Sequence, residues 1–362
     1  MKEICFILPD LSAGGAERVV SILSSNLLKE GREVSIIIYK RIIEYNIDSG
    51  IEIHLIQANG SKFKKICSSV KQIKSICRQK NNNVILIPML DSSLRHALIA
   101  AFGTGVPVIA CERSDPRTKC KNAFSVMVKR LLFWLSDYCV VQTKVIKSFF
   151  PGTVHKKCSI ILNPVNIPER AWECTSGNHK IVSLGRLVGA KNYPMALEAF
   201  KLVHDNFPDA TYDIYGTGDL RQLLEAESKR LGIEDAVSLK CVTSDVYAVL
   251  ENAAIFISTS DYEGLSNSML EAMSIGIPVI CTDCDGGGAR MMIEDGHNGL
   301  IVPKGDIKAL YEKIKYLFEN ETIAVELGRN ARVLCMGLTP QLICDEWIKV
   351  FDRLEDKKNA SQ

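Results

Sequence analysis

The chain has 362 residues, 47% of them apolar and 24% charged, a composition typical of a globular protein long enough for two domains. It excludes a disordered chain, a collagen-like repeat and a small disulfide scaffold. The longest stretch without Lys, Arg, Asp or Glu, residues 96–111, is shorter than the ~20 residues of a membrane span. The first apolar run does not resemble a secretory leader, and thirteen cysteines are scattered along the chain. We therefore expect a cytoplasmic protein with reduced thiols.

The net charge of +2 is the sum of a basic first half and an acidic second half of the chain. Residues 1–168 contain 24 Lys and Arg against 12 Asp and Glu, whereas residues 169–362 contain 20 against 30. Residues 53–90 lack acidic side chains and carry seven cations: Lys62, Lys64, Lys65, Lys71, Lys74, Arg78 and Lys80. Because such a block attracts anions, nucleic acid, an anionic membrane surface and a phosphorylated ligand are all admissible partners.

Short β-branched runs alternate with longer helical patterns through the first half of the chain. The predicted strands are residues 4–8, 34–39, 51–56, 84–89, 106–111 and 138–142. The predicted helices are residues 16–28, 62–80, 93–102 and 124–135. This alternation predicts an α/β fold in which helices cover both faces of a doubly wound parallel sheet.

The same alternation begins again after Asn163-Pro164-Val165. Further strands are predicted at residues 181–184, 212–215, 237–239, 255–258, 278–281 and 300–302. We therefore predict two Rossmann-like domains, residues 1–167 and 168–340, with a hinge near residues 163–180, and a final helix with a polar tail at residues 341–362. Open α/β sheets bind ligands at the carboxyl ends of their strands, so we expect the site in the cleft between the domains.

The strongest polar constellation is the segment 260–273, which follows a predicted strand and opens a helix. Its candidate N-caps are Ser266, Asn267 and Ser268. Gly264 allows the backbone to approach a ligand closely. The exposed amides of the first helical turn and the helix dipole favour an anion or polar hydroxyls in front of them.

Two acids of this segment suit hydroxyl groups. Glu263 and Glu271 can each accept hydrogen bonds from neutral hydroxyls. A sugar joined to a nucleotide presents hexose hydroxyls, a diphosphate and ribose hydroxyls in series, which matches the arrangement. The alternative is that Ser268 and Glu271 form a capping box while Glu263 is a solvated loop acid.

A second loop supplies two cations. Gly185 ends the first strand of the second domain, Arg186 and Lys191 follow it, and Asn192 can cap the next helix. A cation pair on a strand-to-helix loop suits a diphosphate, although two surface cations are the alternative.

On the first domain, the glycine pair Gly14-Gly15 opens the first helix and bares backbone amides. Such a turn also serves simply to let the chain bend.

Together these segments resemble the retaining family-four, or group 1, glycosyltransferases with the two-domain GT-B fold, whose motif is two glutamates separated by seven residues. Glu263 and Glu271 have that spacing. The other matching segments are Gly14-Gly15-Ala16-Glu17-Arg18, Asn163-Pro164-Val165, Arg186 with Lys191, and Gly296-His297-Asn298-Gly299-Leu300. The resemblance is nearest to bacterial surface-polysaccharide and lipid-linked-glycan enzymes.

The resemblance implies a role for each of these residues. Glu263 would hold the donor sugar together with the amides of Gly264, Leu265 and Ser266, and Asn267 would also bind the donor. Glu271 would hold the ribose, and Arg186 and Lys191 would hold the diphosphate. The Gly14-Gly15 turn would close onto the phosphates or the acceptor, and the last helix would fold back onto the first domain.

These roles imply a retaining transfer that needs neither a metal nor another cofactor. Cleavage of the anomeric bond leaves an oxocarbenium-like sugar and a growing negative charge on the diphosphate, which Arg186, Lys191 and helix amides can stabilise. The resemblance suggests that the acceptor hydroxyl attacks the face that the leaving group vacates, and that a phosphate oxygen takes its proton.

Three features depart from this interpretation or compete with it. Where many relatives place a histidine, this chain has Glu112 and Arg113, which with Glu17 we take as acceptor-side candidates; a local ion pair starting a loop is the alternative. Asp283-Cys284-Asp285 spells a metal-binding pair of a different fold, and we predict no metal there. Cys281 and Cys284 form a CxxC without a second ligand pair, which favours buried thiols over zinc.

The basic block admits two interpretations. Phe63, Ile66, Val70, Ile73 and Ile76 fall close to helical spacing among lysines. A second stretch places Lys119, Lys121, Lys129 and Arg130 around Phe124, Phe133 and Trp134. Basic amphipathic helices can lie on the anionic inner leaflet, where a polyprenyl-diphosphate-linked acceptor would be presented. Alternatively, the apolar side chains pack on the sheet and the lysines form a solvated face.

The sequence therefore predicts a glycosyltransferase that uses a nucleotide-diphosphate sugar, UDP rather than GDP. It would transfer a hexose or N-acetylhexosamine to a glycan acceptor, in surface polysaccharide or glycoconjugate biosynthesis. One rival is a nucleotide-sugar epimerase on the same scaffold. The other is a non-catalytic basic module for membranes or nucleic acid; we predict no nucleic acid, because the block lacks interleaved aromatic side chains.

Overall fold

The computed structural model describes residues 1–12, 14–58, 60–243 and 245–359, without the side chains of Lys62 and residues 357–359. The chain divides into two compact units. Unit 1 consists of Met1–Pro164 and Pro340–Gln362, and unit 2 is Val165–Thr339. The end of the polar tail, residues 360–362, lies outside the described residues.

Unit 1 is built on parallel strands that alternate with helices. Its strands are β1 (Glu3–Leu8), β2 (Val34–Ile38), β3 (Glu52–Leu55), β4 (Val84–Pro88), β5 (Ile109–Glu112), β6 (Tyr138–Val141) and β7 (Cys158–Ile160). Its first seven helices are α1 (Gly15–Lys29), α2 (Lys62–Gln79), α3 (Asp91–Ala101), α4 (Pro116–Lys119), α5 (Ala123–Leu135), α6 (Lys144–Ser148) and α7 (Gly152–His155). Strands β1, β2 and β4 are buried along their whole length, as expected for strands with both faces covered.

In unit 1 the hydrogen-bond ladder between β4 and β5 is interrupted next to Pro107. The strands form one sheet of order β3-β2-β1-β4 and a second of order β5-β6-β7. Between β4 and β5 an isolated bridge joins Leu86 to Val108. The sequence predicts a strand from residue 106, but Pro107 has no N–H to donate, so the regular strand begins only at Ile109.

Unit 2 repeats the alternation with a single six-stranded parallel sheet. Its strands are β8 (Lys180–Leu184), β9 (Thr211–Tyr215), β10 (Val237–Lys240), β11 (Ile255–Ser258), β12 (Val279–Thr282) and β13 (Leu300–Val302). Its helices are α8 (Tyr193–Asn206), α9 (Arg221–Leu231), α10 (Val246–Glu251), α11 (Asn267–Ile275), α12 (Gly288–Met292), α13 (Ile307–Glu319) and α14 (Glu321–Cys335). The strand order is β10-β9-β8-β11-β12-β13.

A last helix, α15 (Pro340–Asn359), belongs to unit 1 and packs against α1. Trp347 and Phe351 are fully buried there. Arg32 forms ion pairs with Asp352 at 2.5 Å and Glu355 at 3.2 Å. Helix α15 therefore contributes both apolar and charged contacts to unit 1.

The apolar stripe of α2 is largely packed inside unit 1. Ile73 is fully buried, and Val70 and Ile76 pack against the same core cluster. Phe63 is the exception, since 74% of it is exposed. For most of this helix the sheet-packing alternative therefore describes the structure. Among the described residues, every helix is too short or too polar to traverse a lipid bilayer.

Candidate functional site

The strand order of unit 2 creates an opening beside its two central strands. From β8 the chain moves outward through β9 and β10, then returns to β11 on the other side of β8. The loops that leave β8 and β11 therefore diverge at the carboxyl edge of the sheet. Such a switch point is where open α/β sheets bind ligands.

A lysine and a glutamate from these two loops form an ion pair at that edge. Nζ of Lys191 donates to Oε2 of Glu263 at 2.6 Å, and the hydroxyl of Ser260 donates to the same oxygen at 3.0 Å. The side chains of Lys191 and Glu263 remain 16% and 26% exposed. The pair is therefore held firmly and can still contact a ligand.

Three further hydrogen bonds join the two loops close to this pair. The amide of Asp261 donates to the carbonyl of Ala190 at 2.9 Å. The amide group of Asn192 donates to Oδ1 of Asp261 at 2.9 Å. The hydroxyl of Thr259 donates to the carbonyl of Lys191, also at 2.9 Å. These contacts fix the distance between the two charged residues through the backbone.

Helix α11 begins at Asn267, three residues after Gly264. Its N-cap is Ser266, whose hydroxyl accepts a hydrogen bond from the amide of Met269 at 3.4 Å. The capping box proposed between Ser268 and Glu271 is therefore not the cap of this helix. A small pocket beside the first turn is lined by Ser258, Ser260, Glu263, Gly264 and Ser266, among others. Met269, Cys281, Cys284 and Ala289 line the pocket as well, so its wall is largely apolar, whereas the helix N-terminus beside it suits a polar or anionic ligand.

Glu271 lies inside α11, five positions after the N-cap, and is 5% exposed. Leu265, two residues before the first residue of α11, is also buried. Asn267, the first residue of the helix, is partly exposed. The two predicted acids thus occupy different surroundings, one at the edge of the sheet and one within a helix.

The remaining donor-side residues lie on the loop after β8. The carbonyl of Gly185 accepts a hydrogen bond from the Tyr193 hydroxyl at 3.1 Å. The side chain of Arg186 is exposed and forms no ion pair or hydrogen bond with the residues that the structure describes. Asn192 has a left-handed backbone and caps α8 by accepting from the amide of Met195, as the sequence predicts. Arg186 is therefore available to an anion in a way that Lys191, already paired, is not.

Three consecutive glycines, residues 286–288, follow β12, and two of them pack against the backbone of Glu263 and Gly264. A β-carbon on Gly286, whose φ is +100°, would overlap the carbonyl of Glu263, and one on Gly288 would overlap the carbonyl of Gly264. The amide of Glu263 also donates to the carbonyl of Asp285 at 2.9 Å. Sequence reasoning missed this support, although three consecutive glycines in the loop after a strand are a visible signal of close backbone approach.

The acidic and cysteine motifs near this loop have other partners. Asp283 pairs with Arg290, and Asp285 pairs with Lys304 at 2.9 Å. Within the described ranges, His, Cys, Asp and Glu form no cluster of three that could hold a metal ion. Cys281 and Cys284 are buried. Burial raises the pKa of the Cys284 thiol to about 12, so it stays protonated at neutral pH.

The glycine pair of unit 1 lies at the start of α1. Gly14 is the N-cap, and its carbonyl accepts a hydrogen bond from the Tyr45 hydroxyl at 3.0 Å. The first helical residue, Gly15, is exposed. The carboxylate of Glu17 folds over Gly14 so closely that a β-carbon there would overlap it. A side chain at position 14 would therefore require the flexible carboxylate of Glu17 to move aside.

Arg113 lies near Glu17 at the edge of the unit 1 sheet. Burial lowers the pKa of Arg113 to about 10, while Cys111 and Glu17 raise it through their charges. The guanidinium remains charged at neutral pH and donates to Asn163. Because Asn163 also accepts from Gln142 at 2.6 Å, three strand ends are tied together here. Glu17 and Arg113 are therefore brought to one edge.

Glu112 is buried rather than presented at the surface. It forms an ion pair with Lys129 of α5, which also pairs with Asp91. Its carboxylate also accepts hydrogen bonds from the amides of Arg113 at 3.2 Å and Ser114 at 3.3 Å. Burial opposes the charge of Lys129, but the two carboxylates outweigh it and raise the pKa of the lysine. The ion-pair alternative describes the contacts of Glu112 in this structure.

The chain is similar to known proteins along nearly its whole length. Residues 170–334 match the family model described as Glycosyl transferases group 1. A GalNAc-α-(1→4)-GalNAc-α-(1→3)-diNAcBac-PP-undecaprenol α-1,4-N-acetyl-D-galactosaminyltransferase of Campylobacter jejuni is 29% identical over 99% of this chain and 100% of its own.

Two solved structures have the same fold. Sucrose-phosphate synthase of Thermosynechococcus elongatus gives a TM-score of 0.86 at 17% identity, covering 99% of this chain and 100% of its own. HepE of Anabaena, solved with UDP and glucose, gives a TM-score of 0.84 at 16% identity, covering 97% and 100%. At such identities the likeness concerns the fold.

Proposed function

Residues 170–334 are a group 1 glycosyltransferase domain and the chain is a glycosyltransferase with the GT-B fold, and from this premise we propose its donor and its stereochemistry. The donor is a nucleotide-diphosphate sugar, with UDP favoured over GDP. The transferred group is a hexose or an N-acetylhexosamine, and its anomeric configuration is retained. The observation that carries this proposal is the Lys191–Glu263 pair beside the N-terminus of α11 at the switch point of the sheet.

The donor's three parts match three features of this edge. The hexose hydroxyls meet Glu263 and the amides of residues 264–266. The diphosphate meets the unpaired cation Arg186, the ammonium group of Lys191 and the positive end of the α11 dipole. The ribose hydroxyls meet Glu271. Gly14 and Gly15 of unit 1 are proposed to close onto the phosphates or the acceptor.

The chemistry follows from where charge develops. As the anomeric bond breaks, negative charge grows on the leaving diphosphate, and fixed cations and amides stabilise it more in the transition state than in the ground state. The acceptor hydroxyl attacks the face that the diphosphate leaves, and a phosphate oxygen takes the proton. In this scheme no protein side chain acts as a nucleophile.

The acceptor is proposed to be a lipid-linked glycan. The name of the Campylobacter relative specifies an acceptor on PP-undecaprenol, and that protein aligns with this chain from end to end. Glu17 and Arg113 are the acceptor-side candidates, and Glu112 positions their loop. Such an acceptor implies a cytoplasmic enzyme attached peripherally to the inner face of the plasma membrane, in surface polysaccharide or glycoconjugate synthesis.

A nucleotide panel tests the donor assignment. We expect UDP to raise the unfolding temperature more than GDP or ADP does, and the matching UDP-sugar to be hydrolysed slowly without an acceptor. Incubation of each donor alone separates this function from an epimerase, which would interconvert sugars. If no nucleotide diphosphate stabilises the protein while RNA or DNA binds tightly at physiological salt, the donor proposal is wrong.

A further inference from the structure

Helix α5 presents an apolar face to solvent. Its five outward side chains and their exposed fractions are Phe124 70%, Met127 56%, Leu131 48%, Trp134 52% and Leu135 52%. Their spacing of three and four residues places them on one side of the helix. The opposite side, with Lys129 and Phe133, is buried. Contiguous exposure of large apolar side chains is uncommon on a monomeric protein and marks a contact surface.

The neighbouring helix α3 extends this surface. Ile99 is 54% exposed and Phe102, just after the helix, is 84% exposed. Helix α3 packs against both α5 and α2, and their inward side chains join one core cluster. The outer sides of the three helices therefore belong to one face of unit 1, which we call the α5 face.

Exposed cations lie on the helices of the α5 face and on the segment that leads into α5. The exposed ones are Lys64, Lys65, Lys71, Arg95, Lys119, Lys121 and Arg130. Between residues 53 and 136 the acidic side chains are Asp91, Glu112 and Asp115. Glu112 and Asp115 are buried, and Asp91 pairs with Lys129. Exposed Asp137 follows this stretch directly and accepts a hydrogen bond from the amide of Val108. The face thus combines apolar side chains with an excess of positive charge, since Asp91 is the one acidic residue within α2, α3 and α5.

We propose that the α5 face inserts into the interfacial layer of an anionic lipid bilayer. The apolar side chains enter the boundary between headgroups and acyl chains, while the lysines and arginines contact lipid phosphates. Trp134 lies in the region that its amphipathic ring favours. A second copy fits less well, because a two-fold contact would oppose the same cations on both partners.

This inference deepens the proposed function, since a lipid-linked acceptor is reached from a membrane surface, but its test needs neither donor nor acceptor. The chain has three tryptophans, and Trp172 and Trp347 are buried. Trp134 is therefore the probe that lipid can reach. We expect vesicles of phosphatidylcholine with about a third phosphatidylglycerol to shift its emission to the blue, and brominated acyl chains to quench it. Unquenched fluorescence with fully sedimented protein would overturn insertion.

Paired variants separate insertion from charge alone. The double variant Phe124→Glu/Leu131→Glu should lower binding to these vesicles at least about ten-fold, because each change removes an inserting side chain. The control Val333→Glu alters a 60% exposed apolar residue of unit 2 and should bind as the unchanged protein does. Equal binding of all three proteins overturns the proposal.

Three further outcomes are decisive. If sedimentation velocity shows a dimer that the double variant dissociates, while neither protein binds vesicles, the face is a self-association surface and the lipid assignment is wrong. If vesicle binding fails but UDP still stabilises the protein and the donor is still hydrolysed, only the membrane inference falls. If vesicle binding is lost in the double variant and nucleotide binding is retained, the inference is supported independently of catalysis.

Discussion

The carboxylate of Glu263 receives hydrogen bonds from Lys191 and Ser260, which lie on different loops. The sequence predicts that Lys191 and Glu263 each lie at the edge of a sheet. The periodicity of the strands does not reveal that β8 and β11 are neighbours. Their pairing follows from the strand order. The contact of Gly288 with the Gly264 carbonyl likewise depends on where the loop after β12 lies in space.

Replacing the two acids separately should give different kinetic effects. Glu263→Ala should lower donor turnover about 10²-fold or more while leaving nucleotide binding nearly unchanged, because the interaction matters most as the bond breaks. Glu271→Ala should weaken UDP binding about ten-fold, as expected for loss of a charged hydrogen bond. Calorimetric titration with UDP and a donor-hydrolysis assay measure both.

The matched control is Glu234→Ala, which changes an exposed acid of unit 2 distant in sequence from both loops. It should leave both quantities unchanged. Normal turnover and normal UDP affinity in both site variants would contradict the assigned roles.

Gly288→Ala should destabilise unit 2, since the added methyl group overlaps the carbonyl of Gly264. Overpacking of this kind costs about 1–3 kcal/mol. Gly337→Ala is the comparison, because a β-carbon there meets no atom within 4 Å, and it should change stability by less than about 0.5 kcal/mol. Thermal unfolding of the two variants measures the difference; equal melting temperatures would show that the loop after β12 moves aside.

At the scale of elements, strands are more predictable than their pairing. Apolar runs locate all six strands of unit 2 to within one residue, because buried parallel strands are continuously apolar. In unit 1 the prediction misses β7, a three-residue strand, and the short helices α4, α6 and α7. Elements this short contain less than two turns or alternations, too few for a period to be recognised.

Helix α15 provides the prediction at this scale. Trp347→Ala should destabilise unit 1 by about 3–5 kcal/mol, because Trp347 is 1% exposed and its removal leaves a cavity beside α1. Lys349→Ala, on the same helix but 67% exposed, should cost less than about 0.5 kcal/mol. Urea unfolding followed by circular dichroism tests both. A small effect of the tryptophan change would mean that α15 contributes little to the unit.

For the molecule as a whole, the α/β class and the glycosyltransferase activity are predictable from sequence. The solved structures confirm the fold class, and the family model and the Campylobacter relative confirm the activity. The two-glutamate segment and the repeated βαβ alternation carry that prediction. The identity of the sugar is not accessible in the same way, because it depends on the positions of a few atoms around residues 263–267. The domain boundaries and the roles of the site residues stay predictions.

Hydrogen exchange can locate the nucleotide within the whole chain. Saturating UDP, at about 100 times its dissociation constant, should stabilise unit 2 by about 2.7 kcal/mol. Amide protection should rise at residues 185–191 and 263–270. Additional protection at residues 14–18 would support closure of the Gly14-Gly15 turn. If protection rises only at other places, the site has been assigned to the wrong loops.

Unit 1 is assembled from two stretches of chain that flank unit 2. The chain is synthesised from its amino end, so all residues of unit 2 emerge from the ribosome before α15 does. Until then α1 lacks the helix that packs against it. The first 164 residues must therefore persist with Arg32 and the surface beneath Trp347 uncovered until residues 340–359 arrive. Nascent chains that have exposed residues 1–339 outside the ribosome should accordingly bind chaperones through unit 1, whereas full-length chains released from the ribosome should not.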